Sequence, residues 1–163
     1  MRTKGMYRAV VGAAGLAGAV VGAAGCSVGE GAPEGWKVMR GGSVALAHPK
    51  VWEELRPSEG SADAGAQASA VLRGAGGRQV GEITVRPGGA TRRGVRPRPL
   101  TIDGRPATEV GYVERVADGS RNRAVEIATT DSRGRPVLVR VTGPDVDGWP
   151  TELRKIINSI DVS

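Results

Sequence analysis

Few side chains in this chain of 163 residues can do chemistry. It has one cysteine, Cys26, and one histidine, His48. A structural zinc site needs about four thiolate or imidazole ligands, so neither a zinc finger nor an internal disulfide framework can form within one chain. His48 is the one side chain whose ordinary pKa lies near neutrality, so any Ser-His-Asp triad must use it. No Gly-x-Ser-x-Gly elbow supplies a nucleophile. His48 precedes Pro49 and reads as a strand-end residue, half-packed near Trp52. Asp145-Val-Asp147-Gly148 has the start of a calcium loop, but Glu152 comes too early to close one. Its acids read instead as a cap on the free N–H groups of a following helix. Glu53 and Glu54 are neighbours and point apart, so they cannot flank a substrate as an acid/base couple. Arg92, Arg93, Arg96 and Arg98 form the one basic cluster, in a segment with three prolines. It reads either as a solvated loop or as a surface that contacts anionic lipid head groups or an acidic partner.

The elements around these residues begin with an address. Residues 1–8 carry Arg2, Lys4 and Arg8 and no acid, and residues 9–25 are uncharged and apolar or small. A basic segment, a short apolar run and small residues at its end make a secretory signal. A retained transmembrane helix is the alternative. The run is at the short limit for a span, and its five glycines weaken both helix and hydrophobicity. Cys26 follows Ala23-Ala24-Gly25 directly. This arrangement resembles the lipobox of bacterial lipoproteins. The resemblance implies a diacylglyceryl group on the Cys26 thiol, cleavage before Cys26, and a membrane-anchored protein on the extracytoplasmic face. Cleavage removes three of the cations behind the net charge of +6, so the basic balance is partly a targeting feature. It does not support nucleic-acid binding, which needs a clustered basic face. With no Phe and 3% aromatic residues, there is no stacking platform for single strands either.

Residues 26–35 carry the lipidated Cys26 and a Gly/Pro/Glu tether, and residues 36–163 form one domain. Trp36 to Met39 and Ser43 to Ala47 read as strands around a Gly41-Gly42 turn. Residues 50–56 read as one helical turn. Gln67 to Arg73 and Gln79 to Arg86 read as strands, the second with Gly81, Ile83 and Val85 on one face. Residues 87–99 cannot form a regular element. Ala107 to Val116, Arg123 to Thr129 and Val137 to Val141 alternate, with turn signals at Asp118-Gly119 and Ser132-Arg133-Gly134, and so predict an antiparallel meander. Residues 150–160 predict a helix with Pro150 in its first turn. Leu153, Ile156, Ile157 and Ile160 make one apolar stripe on it. A one-faced sheet and a striped helix together predict an α+β domain, with helix covering the antiparallel β-sheet.

Four segments resemble PsbP-like domains. They are Ser43–Trp52 with its Pro-x-x-Trp ending, Leu100–Ala107 with its Asp-Gly, Asp131–Val141 as the return strand, and Ile156–Ile160 in the closing helix. Actinobacterial lipoproteins of the LpqN type are similar in layout and lipobox. The Phe usual near Val44 and Leu46 is missing. The resemblance spans about residues 36–160 and implies an antiparallel sheet with helices packed on it and an envelope location. It carries over no catalytic residue and no cofactor. The bias of 19 Arg against 4 Lys points to a high-GC actinobacterial source.

The expected function is a non-enzymatic, lipid-anchored envelope protein that binds an envelope lipid, a glycan or a membrane-protein partner. A lipoprotein that binds a small soluble ligand is the alternative, and a hydrolase built on His48 is a third.

Overall fold

The computed structural model of the protein describes residues 32–56 and 65–163. The signal segment 1–25, Cys26 and most of the tether lie outside the described residues. Ten strands and one α-helix follow in order: β1 (Trp36–Gly41), β2 (Val44–Pro49), β3 (Glu53–Leu55), β4 (Ala68–Arg73), β5 (Gln79–Pro87), β6 (Arg98–Ile102), β7 (Arg105–Arg115), β8 (Arg121–Thr130), β9 (Pro136–Pro144), α1 (Trp149–Asn158) and β10 (Asp161–Val162). They form a three-stranded sheet, β1-β2-β10, and a seven-stranded sheet, β3-β4-β5-β9-β8-β7-β6. Every pairing is antiparallel.

The meander β7-β8-β9 follows the alternation and turn signals closely. Its β8–β9 turn is closed by Asp131, whose N–H donates to the Arg135 carbonyl and whose own carbonyl accepts from Gly134, both at 2.9 Å. The β6–β7 hairpin turns on Asp103-Gly104, with φ of 49° and 74°. Two successive positive φ values are the signature of a type I′ turn, which suits the twist of paired strands and which glycine adopts without strain.

Alternation decides which face is apolar. Register places Ile83, Val141 and Val125 in one row and Val85, Val139 and Ile127 in the next. All six are buried and share one core with Leu153, Ile156 and Ile157 of α1 and with Val44 and Leu46 of the small sheet. The core therefore lies between the large sheet on one side and α1 with the small sheet on the other. Burying each such aliphatic side chain contributes about 1.5–3 kcal/mol. Ser159 ends the helix and ties it down. Its hydroxyl donates to the Ile156 carbonyl at 2.7 Å and accepts the Ala47 N–H of β2 at 2.8 Å.

Three expectations differ from the structure. One α-helix, not several, covers the sheet among the described residues, and the second sheet supplies the rest of the cover. Residues 50–56 do not continue as a helix. The backbone makes one turn, with the Trp52 N–H on the Pro49 carbonyl at 3.1 Å, and then extends into β3, which pairs with β4. Segment 87–99 is irregular except at its two ends, where Pro87 closes β5 and Arg98 and Pro99 open the edge strand β6. Pro there is compatible with an edge, where no ladder N–H is required on the open side.

Candidate functional site

Strand order forces the arginine segment across the molecule. β5 and β6 follow one another in sequence, yet β9, β8 and β7 lie between them. Four strand spacings make a gap of about 19 Å, within the reach of about 33 Å for ten extended residues. Residues 88–92 cross on the sheet face opposite the core and touch β9, β8 and β7 in turn. The Gly88 N–H donates to the Pro136 carbonyl of β9 at 2.7 Å. Gly89 lies against the Leu138 side chain of β9. The Arg92 N–H donates to the Glu126 carboxylate of β8 at 2.6 Å. The Arg92 guanidinium then lies over the Tyr112 ring of β7, 4.5 Å from its centroid.

Beneath the crossing is a polar network. The Tyr112 hydroxyl donates to Glu126 at 2.8 Å. Arg140 donates to Glu114 at 2.8 Å and approaches the Tyr112 oxygen at 3.5 Å and Glu126 at 3.8 Å. Glu126 is buried, and its charge is met by these donors. Burial pushes the Tyr112 phenol above its ordinary value, and its donation to Glu126 adds to the rise.

The four arginines therefore divide. Arg92 packs on Tyr112 while Arg93 faces solvent. Arg96 and Arg98 reach a different place, a cleft of about 350 Å³ where β6, β7 and β8 meet the start of α1. Arg123 of β8 and Arg154 of α1 line it too, with Val113, Pro150 and Leu153 as apolar walls. Glu109 is the buried acid of the cleft. Arg154 donates to both its oxygens, at 2.8 and 3.1 Å. Arg98 stands 3.7 Å away from it. The Arg154 hydrogen bonds hold the Glu109 carboxyl below its usual range, against the opposing effect of burial. Arg123 and Arg154 are absent from the basic cluster seen in sequence, because they come from β8 and α1 and only the fold assembles them. The apolar stripe of α1 gave one indirect signal, since it leaves Arg154 beside Leu153 at the sheet margin.

The other residues with chemical interest are occupied elsewhere. His48 is fully buried rather than half-packed. Its Nδ1 lies 3.0 Å from the Pro49 carbonyl, and its Nε2 lies 3.4 Å from Glu54, which also meets Lys37 at 3.4 Å. Burial pulls the His48 pKa below its ordinary value, against the opposing carbonyl and Glu54. Glu53 points away to Arg73, at 2.7 Å. Asp145 does not cap α1. Gly148 occupies that position with no side-chain cap, and Asp145 instead accepts from Arg123 at 2.9 and 3.1 Å and pairs with Arg121 at 3.2 Å. Among the described residues no three His, Cys, Asp or Glu side chains gather as a metal site. No helix among them is long and apolar enough to cross a membrane.

The architecture matches a solution structure of cyanobacterial PsbP (CyanoP) from Synechocystis sp. PCC 6803. The TM-score is 0.55 and the identity 12%, over 83% of this chain and 96% of that one. The fold is PsbP-like. A crystal structure from Bacteroides thetaiotaomicron VPI-5482 aligns with a TM-score of 0.49 and 11% identity over 78% of this chain, which spans about half, 48%, of that one. No family model matches the sequence. No curated protein matches it either.

The PsbP-like domain has a second, larger groove of about 600 Å³ at the far end of the β7–β8 hairpin. Val116 and Val146 are exposed along it, and an Arg78–Asp118 ion pair closes one side.

Proposed function

We propose that the chain is a lipid-anchored envelope protein of the LpqN type from an actinobacterium. In this reading residues 1–25 are removed, Cys26 carries the diacylglyceryl group, and the PsbP-like domain stands on the extracytoplasmic face of the cell membrane. There it binds an envelope lipid, a glycan or a membrane-protein partner without catalysing a reaction. The observation that carries the reading is the position of the lone Cys26, directly after a basic segment and an apolar run that ends in small residues. A tethered domain gains from effective concentration, so even a weak contact at the membrane is populated. The burial of His48 supports binding over hydrolysis, because a general base must come within hydrogen-bond reach of the proton it takes.

The test is metabolic labelling with a radioactive fatty acid in the native host. Wild-type protein takes up label and sediments with membranes. Cys26→Ser protein takes up none. Equal labelling of the two forms refutes the anchor.

A further inference from the structure

We propose that the cleft between β6, β7, β8 and the start of α1 binds a phosphate group, with Arg96 and Arg98 as its principal ligands. The argument is one of charge. Arg96, Arg98, Arg123 and Arg154 all line a space of about 350 Å³. Two of the four are already neutralised. Arg154 is held by Glu109 through two hydrogen bonds, and Arg123 by Asp145 through two more. Arg98 stands 3.7 Å from a carboxylate that Arg154 has already engaged, and its side chain is 75% exposed. Arg96 is exposed and has no ion pair among the described residues. Two guanidinium groups thus face one cleft without an acid of their own, and an anion between them offsets their repulsion.

Guanidinium recognises phosphate well, because its planar fork matches two phosphate oxygens at once, as it does the two oxygens of a carboxylate. The volume sits at the small end of ligand pockets, which run from about 300 to 1,000 Å³, and suits a head group rather than a large molecule. Val113, Pro150 and Leu153 give the cleft an apolar wall, fit for the carbon skeleton of a phosphate ester. The same chemistry is offered by an anionic phospholipid head group and by a soluble phosphate ester. The lipid source rests on the membrane-anchored reading above, whereas the phosphate site itself does not.

Native mass spectrometry of the full-length protein in neutral detergent distinguishes these cases. The probes are phosphatidylglycerol, zwitterionic phosphatidylcholine and glycerol 3-phosphate. The expected result is one saturable phosphatidylglycerol per chain in preference to phosphatidylcholine. Arg96→Gln/Arg98→Gln protein binds it about tenfold more weakly or worse, and Arg93→Gln protein binds as wild type does. Glycerol 3-phosphate bound in place of lipid, with the same loss in the double variant, supports the phosphate site and assigns it a soluble ligand. Binding of neither anion overturns the proposal, as does equal binding by the double variant with an unchanged unfolding temperature. The lipid increment on Cys26 is read from the same spectra as covalent mass, so loss of the site and loss of the anchor are seen separately.

Discussion

The backbone N–H of Arg92 donates to the buried carboxylate of Glu126 at 2.6 Å. This one bond joins the β5–β6 crossing to the middle of the sheet, and the same carboxylate orients Tyr112, on whose ring the Arg92 side chain rests. Glu126→Gln keeps the shape and halves the acceptor capacity. It is expected to cost about 1–3 kcal/mol, as removing a charged hydrogen-bond partner does. Urea unfolding measures the loss, and hydrogen exchange at the Arg92 amide locates it, through faster exchange in the variant than in wild type.

Two glycines make room for stacked indoles. Trp52 and Trp149 stack with centroids 6.0 Å apart and planes at 22°. A Cβ at Gly81 would lie 3.1 Å from Trp52 and 2.8 Å from the Thr142 carbonyl, and one at Gly143 would collide with the Trp149 ring. Gly143→Ala is expected to destabilise the fold by about 1–3 kcal/mol through overpacking and to change the near-ultraviolet circular dichroism of the tryptophans. Arg93→Gln, at an exposed position outside the core, leaves that spectrum unchanged.

His48 gives the stability a dependence on mild acid. Its folded pKa lies below the ordinary 6.5 because burial disfavours the charged ring. The unfolded chain therefore binds the proton first, and stability falls as pH drops from about 6.5 through the lowered value. His48→Asn removes this slope. Thermal unfolding of both proteins from pH 8 to about pH 5 should show a melting temperature that falls with acid more steeply in wild type than in His48→Asn.

Asp131 acts in a lower window. Burial works against its charged form. Two hydrogen bonds from the Arg135 side chain and backbone N–H, and one from the Arg133 N–H, outweigh burial and hold the pKa at about 2. Because the folded value lies below the ordinary 3.8, the contribution is complete above that value and is lost as pH falls toward 2. Asp131→Asn should lose stability at neutral pH and show a shallower acid transition below pH 4. An unaltered acid transition in circular dichroism would contradict this role.

Local pattern made the second half of the domain legible. Asp118-Gly119 and Ser132-Arg133-Gly134 bound strands whose apolar residues alternate, and Leu153, Ile156, Ile157 and Ile160 recur at helical spacing. Each of these signals lies within about a dozen residues. The parts that escaped depend on distant partners. β3 carries Glu53 and Glu54 and has no strand pattern of its own. It is extended because Ser69, Ala70 and Val71 pair with it. β10 is two residues long and exists through Val44 and Ala45, over a hundred positions away. The arginine cluster was visible as a cluster, but its division was not. Arg92 packs on Tyr112 while Arg96 and Arg98 join Arg123 and Arg154, because the strand order carries Arg92 over one face of the sheet and brings the end of the crossing round to the cleft beside α1. Asp145 looked like a helix cap by position and is claimed by Arg121 and Arg123 across the hairpin end.

The measurement that tests the central claim most directly is the intact mass of the protein purified from the membranes of its own host. The account predicts a chain that begins at Cys26 and carries a diacylglyceryl-sized increment. An unprocessed chain beginning at Met1, without added lipid, would contradict it and restore the transmembrane reading of residues 9–25.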